Sequence, residues 1–168
     1  LVLGGGKGTR MKSSVPKLLH KICGKSMLRC VVDSVSNAGA EKILIVTSPQ
    51  LSASDEIYQI PASFIAQDVP LGTGHALLQA RGEIESFNGN WLIVNGDTPA
   101  IRPESFSSLI QQHESSGAFI TVMTSHDPFN DNMGLISRKN DTHYITAILE
   151  YGDKDYDVNV SSEFNVGA

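Results

Sequence analysis

The feature that most constrains this chain is its opening run, in which the apolar residues Leu1, Val2 and Leu3 pass straight into Gly4-Gly5-Gly6-Lys7-Gly8-Thr9-Arg10. A short apolar run of this kind predicts a buried strand, and the glycines that follow predict a loop able to take φ > 0 and to turn backbone N–H groups toward an anion. Lys7, Arg10 and, after Pro16, Lys17 gather positive charge beside those donors in a chain whose formal net charge is −5. A phosphate chain is the natural guest; a glycine-rich turn with solvated lysines is the bland alternative. Two familiar phosphate loops do not fit. A dinucleotide fingerprint needs a third glycine where Thr9 stands, and a Walker A loop ending at Gly24-Lys25-Ser26 needs a first glycine where Leu19 stands. Lys25 is therefore expected to be surface charge, with Gly24 and Ser26 forming a turn and a helix cap.

The 168 residues suit one domain, expected to cover 1–168 and to be trimmed at both ends, since the chain starts inside a strand without Met and stops after an apparent strand start at Asn165. With 40% hydrophobic and 18% charged residues the composition is globular. The acidic balance argues against a nucleic-acid or membrane-surface partner, and no apolar run approaches the roughly 20 residues of a membrane span. A cytoplasmic protein is expected. Cys23 and Cys30 are expected to be two buried or inert thiols, with Cys30 in a helix and Cys23 in a loop. The histidines, at 20, 75, 113, 126 and 143, have no zinc-ligand spacing.

Met27, Val31, Val35 and Ala38 recur at helical spacing between a capping Ser26 and a terminating Gly39. The run 42–47 predicts a strand buried on both faces, residues 49–62 an irregular excursion, and 63–67 a third strand. Val69-Pro-Leu-Gly-Thr-Gly-His75 leads into a helix that Thr73 is placed to cap. Trp91–Val94 predicts another buried strand, which runs into Asn95-Gly96-Asp97. A carboxylate at that end of a central strand is suited to a hard cation, although an Asx turn explains it as well. Pro103 opens a helix whose inner face carries Phe106, Leu109, Ile110 and His113, and Gly117 ends it. Residues 119–123 predict a strand, and 134–138 and 143–149 a β pair turning at Asn140-Asp141. The pattern is α/β: a doubly wound, mostly parallel sheet with a small β subdomain near the C-terminal end.

Together the motifs LxLGGGKGTRM, Pro16-Lys-Leu-Leu-His20, Leu71-Gly-Thr-Gly-His-Ala76, Gly96-Asp97, Glu150 and Glu163-Phe-Asn165 resemble the nucleotidyltransferase domain of the bacterial N-acetylglucosamine-1-phosphate uridyltransferases, along nearly the whole chain. The resemblance implies a Rossmann-like nucleotidyltransferase fold in which a sugar 1-phosphate oxygen attacks the α-phosphorus of UTP and pyrophosphate leaves, with Mg²⁺ as cofactor. It places Leu3, Gly4, Gly5 and Gly6 along the nucleotide, Arg10 at the β/γ-phosphates and Lys17 at the α-phosphate. It also places Gln67 at the uracil edge, completed by Gly72 and Thr73, and Asp97 on the metal. Gly134, Glu150 and Asn165 would hold the amino sugar. A second metal ligand and an acetyltransferase half that could drive oligomerisation would lie beyond residue 168.

The chain departs from the family pattern in three places. Gly4 and Gly5 replace two small residues of LAAGxGTRM, Asn95 stands for a Tyr before Gly-Asp, and Met133-Gly134-Leu135 replaces Tyr-Gly-Arg. The alternatives kept open are a related transferase using another nucleotide or sugar, such as a guanylyltransferase, and a domain that binds nucleotide sugars without turnover.

Overall fold

The computed structural model describes residues 1–6, 8, 11–126, 133–139, 142–150, 152–153 and 162–167, in two compact units, Leu1–Ser115 and Ser116–Ala168. Among the described residues no helix is long and apolar enough to cross a membrane.

The first unit begins with strand β1 (Val2–Gly4) and continues through a two-residue hairpin of β2 (Lys21–Ile22) and β3 (Lys25–Ser26). Cys23 and Gly24 form its corner with φ of 50° and 87°, both in the region a tight hairpin turn requires. The corner places Cys23 in a loop, as expected, but exposed, and Cys30 is half-buried; of the expected buried or inert thiols, burial fails for Cys23, and both cysteines are free. Lys25 does lie at the surface, paired with Asp33 at 2.9 Å. Helix α1 (Met27–Asn37) starts where the Ser26 hydroxyl accepts the Arg29 N–H at 3.4 Å and ends before Gly39, which has φ 98°. Its buried face is Leu28, Val31, Val32 and Val35, the spacing that one helical stripe requires.

Strand β4 (Leu44–Thr47) is buried throughout, as a parallel strand covered on both faces must be. Its one hydroxyl, on Thr47, is satisfied by Ser52 at 2.7 Å and the Ile65 carbonyl at 3.2 Å. The excursion at 49–62 holds a short helix, α2 (Pro49–Ser52), capped by Ser48, and a 3₁₀ turn (Asp55–Gln59) that buries Ile57. Strand β5 (Ser63–Ala66) follows, then helices α3 (Thr73–Gln79) and α4 (Arg81–Ser86) and strand β6 (Val94–Asn95). Thr73 is the first helical residue of α3 and makes no capping bond; Gly72, at φ 106°, occupies the cap position instead. The run from Trp91 is strand only at Val94 and Asn95, although Leu1 N donates to the Leu92 carbonyl at 2.7 Å and Val94 N to the Leu1 carbonyl at 2.9 Å. Helix α5 (Pro103–Ser116) starts at the proline as expected, buries Phe106 and is followed by Gly117 with φ 62°.

The four strands of the main sheet lie in the order β5-β4-β1-β6 and all pair in parallel. Leu1, Leu44 and Val46 pack with Ala76 and Ala80 on one face, while alternation turns Val2 and Ile45 to the opposite face, where α1 lies against β1. The chain winds outward from β1 to β5 and then returns to the other side of β1. This reversal leaves a crevice beyond the C-terminal ends of β1 and β6, the position at which open α/β sheets take ligands.

The second unit is an antiparallel sheet of β7 (Thr124–His126), β8 (Leu135–Arg138), β9 (Ile145–Leu149) and β10 (Glu163–Asn165), in the order β7-β10-β8-β9. The β8/β9 pair matches the expected one, with its turn at 140–141 outside the described residues. Residues 119–123, read as a strand from their apolar run, are not one. Phe119 is 97% exposed, and the strand that pairs with β10 is Thr124–His126, with the Met123 carbonyl just before it accepting from Val166 N at 3.2 Å. An apolar run becomes strand only where a ladder partner meets it.

Glu163 is buried in this sheet and takes two bonds from the Arg138 guanidinium, at 2.6 and 2.5 Å. Those bonds hold its carboxyl down at about 2, from an ordinary 4.5, despite the opposing cost of burial. Because the folded-state value is depressed, the pair stabilises fully above pH 4.5 and its contribution is lost as pH falls toward about 2. We expect an acid-unfolding transition in that window, and Glu163→Gln should cost about 2 kcal/mol at neutral pH in urea unfolding while flattening the profile. An unchanged profile in the variant would show that the pair does not set acid stability.

Candidate functional site

The crevice is built by absent side chains. A Cβ on Gly4 would stand 2.7 Å from the Val46 carbonyl and 3.1 Å from Leu18 Cδ1, and a Cβ on Gly96 would stand 2.8 Å from the same Leu18 atom. Leu18, itself buried, thus fills a notch that only two glycines leave open, one at the end of β1 and one just after β6. It is held there in a 3₁₀ turn, Lys17–Leu19, in which the Leu19 N–H donates to the Pro16 carbonyl at 2.9 Å. The preceding residue, Lys17, is thereby carried over the crevice, where its Nζ pairs with Asp97 Oδ2. Asp97 rides on a turn closed by the Thr98 hydroxyl, which donates to the Asn95 carbonyl at 2.8 Å. Gly8, at φ 60°, packs so closely that an added Cβ would lie 2.7 Å from Lys17 Cβ.

The opposite wall is polar and internally bonded. Gln67 continues from β5, its N–H donating to the Thr47 carbonyl at 2.8 Å, and only 1% of its surface is exposed. Its Nε2 meets the Gly72 carbonyl at 3.2 Å and His75 Nδ1 at 2.9 Å. Its Oε1 lies over the glycine loop, 1.8 Å from where a Cβ on Gly5 would be. The departure at Gly5 therefore has a structural counterpart, since the carboxamide occupies the space that a methyl group at residue 5 would need.

Between these walls is a cleft of about 610 Å³, a size that holds a small molecule. Its lining includes Leu3, Gly4, Gly5, Gly6, Lys17, Gln67, Gly72, Thr73 and Asp97, all singled out in the sequence. It also includes Gly8, Met11, Leu18, Pro70, Ala76 and Asn95, which were not among the site residues expected from the sequence. Gly8 lies inside the glycine motif and Asn95 beside Asp97, so adjacency was the available signal; for Leu18 nothing in the sequence shows that it wedges between two strand ends. Arg10, with Lys7 and Thr9, lies outside the described residues.

The residues expected to hold a sugar are collected in the second unit. Asn165 N donates to the Gly134 carbonyl at 2.8 Å, and a Cβ on Gly134 would stand 3.1 Å from Glu150 Oε1. The Asn165 carboxamide oxygen is taken by Gly167 N at 3.0 Å. Among the described residues no group of three or more His, Cys, Asp or Glu side chains could hold a metal. Among the described residues the acidic one that lines the cleft is Asp97, and such a single carboxylate suits a hard cation that keeps most of its ligands as water and phosphate oxygens.

Comparison with known proteins gives a consistent picture. The family model described as a MobA-like NTP transferase domain matches residues 1–155. Proteins named bifunctional protein GlmU, from Bacillus thuringiensis strain Al Hakam and Bacillus cereus strain AH820, are each 37% identical over 167 residues. Those matches cover 99% of this chain but 36% of the relatives' length. Among solved structures, a UDP-glucose pyrophosphorylase from Acinetobacter baumanii has a TM-score of 0.69 at 20% identity, covering 99% of this chain and 72% of that one. HddC from Yersinia pseudotuberculosis has 0.68 at 21%, with the same coverages. At such identities the likeness to the solved structures is one of fold, and it bears out the α/β architecture.

The glycines divide into those that need to lack a side chain and those that do not. Gly8→Ala should cost about 1–2 kcal/mol, from a left-handed φ and collision with Lys17, while Gly6→Ala, with no atom within 4 Å of its added Cβ, should cost under about 1 kcal/mol. Urea unfolding of the two variants checks the order; equal costs would contradict the packing described.

Proposed function

Because the chain belongs to the MobA-like NTP transferase family, we propose that it forms the transferase domain of a protein that moves a uridylyl group from UTP to N-acetylglucosamine 1-phosphate, giving UDP-N-acetylglucosamine and pyrophosphate. The observation that carries this reading is the cleft itself, which joins a cation over a phosphate-sized glycine loop to a buried carboxamide wall. The bifunctional GlmU relatives support the choice of nucleotide and sugar, and the chain spans 36% of their length. We take residues 1–168 as that domain, in the cytoplasm where UTP is made, with oligomerisation resting on parts of the protein outside these residues.

In this reading an oxygen of the sugar phosphate attacks the α-phosphorus, the bond to the β-phosphate oxygen breaks, and pyrophosphate leaves with both electrons. No proton transfer is needed, so the protein's task is positioning and charge neutralisation. Gly4, Gly5 and Gly6 offer backbone N–H groups along the triphosphate. Lys17 leaves Asp97 for the α-phosphate, where charge grows in the transition state, and Arg10 takes the outer phosphates. Mg²⁺, held through Asp97, would supply further neutralisation of the triphosphate. Gln67, with Gly72 and Thr73, reads the base. Gly134, Glu150 and Asn165 hold the amino sugar, and Leu135 in place of the family arginine makes the sugar side the place to look for altered specificity.

Lys17→Ala, in the full-length parent protein, should lower kcat/KM for UTP by on the order of 10²-fold, the usual worth of one preorganised charge at a developing oxyanion. Asp97→Asn should abolish metal-dependent turnover with little change in thermal midpoint; a mere turn former would tolerate Asn, so full activity in that variant would return Asp97 to a structural role. A thermal-shift panel of UTP, CTP, GTP and ATP tests the nucleotide directly, since a ligand at 100 times its dissociation constant adds about 2.7 kcal/mol. Equal shifts for all four would sink the uridylyl assignment.

A further inference from the structure

The wall residue Gln67 is itself held by a partner that the proposed reaction has not used. A carboxamide's two ends look alike and are told apart only by what they bond. Here the Gly72 carbonyl can only accept, so the end facing it at 3.2 Å is the NH₂ group. That group has two hydrogens, and the second points to His75 Nδ1 at 2.9 Å. Nδ1 must therefore present a lone pair, which fixes His75 as the neutral tautomer with its proton on Nε2. On the far side of the ring, Nε2 lies 3.2 Å from Nε2 of Gln79, one helical turn along α3, which also reaches the His75 carbonyl at 3.4 Å; the Nε2 proton therefore requires this exposed amide to give up that long contact and turn its oxygen to the ring, whereas Gln67, 1% exposed, has no such freedom.

Both donors of Gln67 are thus spent inside the wall, and Oε1 accepts no hydrogen bond among the described residues. What Gln67 can offer the cleft is an acceptor. An acceptor there selects a base edge that carries an N–H, as the imide of uracil does, and repels the lone pair that cytosine presents at the same position. We propose that His75 is a positioning residue for base selection: by accepting from Gln67 Nε2 it locks the carboxamide with its oxygen toward the base, and so sets the preference for a uracil over a cytosine nucleotide. Deleting that acceptor leaves one N–H of a nearly fully buried amide unpaired, and the amide then gains by turning its donor toward the cleft, held back only by the Gly72 carbonyl.

The inference rests on the UTP reading above, and the test separates the two. UTP and CTP affinities are measured with Mg²⁺ on the full-length protein by calorimetric titration, for wild type, His75→Phe and His75→Asn. Asn carries its side-chain oxygen close to where histidine carries Nδ1 and can accept the same bond. The expected result is a wild type that favours UTP, a UTP-to-CTP affinity ratio about tenfold lower in His75→Phe, and recovery to within about threefold of wild type in His75→Asn. A merely structural histidine would lower the thermal midpoint and leave the ratio unmoved, and that result would overturn the inference while leaving the UTP reading intact. A wild type indifferent to the two nucleotides would overturn both. Should His75→Phe fail to fold, the ring nitrogens of His75 in the wild-type protein decide by NMR: an unprotonated Nδ1 supports the assignment, and a protonated Nδ1 defeats it.

Discussion

Everything proposed for this domain depends on Leu18 sitting between Gly4 and Gly96. Two parallel strands end side by side, and a side chain on either terminal glycine would collide with the leucine at 3.1 or 2.8 Å. With both absent, an apolar residue from a loop drops between the strand ends and is buried there, which stabilises by about 2 kcal/mol. The value of that contact lies less in its energy than in its geometry. It pins the loop after the glycine run against the sheet, and the adjacent Lys17 lines the cleft with its Nζ on Asp97. A flexible cation becomes a positioned one because its neighbour is an anchor.

The two ion pairs of most interest show opposite designs. Arg138 and Glu163 are joined by paired bonds in a sheet that buries the carboxylate, and their attraction is strong enough to hold Glu163 ionised far below the ordinary range. Lys17 and Asp97 remain about a third exposed, 32% and 35% by side chain, where a pair typically contributes at most about 1 kcal/mol. A weak, accessible pair is cheap to separate, so an incoming phosphate can take the lysine without undoing the fold. In a chain of net charge −5, a lysine that an anion can draw away from Asp97 stands beside glycine N–H groups, so cation and backbone donors face the same guest.

The parts of this fold legible in the sequence were those governed by local chemistry. The run into Gly4, the fully buried β4 and the stripe of α1 between Ser26 and Gly39 each follow from composition, periodicity or capping, and each is present. Nine of the site residues expected from the sequence line one cleft because glycine motifs and strand-end carboxylates mark where an α/β sheet reverses. The misreadings arose where a partner decides the outcome. Residues 119–123 have strand composition but the paired strand starts only after them, at Thr124, Thr73 lost the cap to a glycine that could adopt φ 106°, and Cys23 became exposed because a hairpin corner needed it. Leu18 and His75 were invisible for a related reason: each matters through one specific neighbour, and no spacing rule announces it.

The central claim is that UTP binds in the cleft bounded by the glycine loop, the Lys17 turn, the Gln67 wall and Asp97. Hydrogen–deuterium exchange of the full-length protein, with and without UTP and Mg²⁺, tests it most directly, because it reports backbone amides segment by segment without altering any residue. Slowed exchange confined in this region to residues 3–8, 17–19, 67–76 and 95–98 is the predicted result. Saturating UTP that slows exchange elsewhere and leaves these four segments untouched would contradict the account.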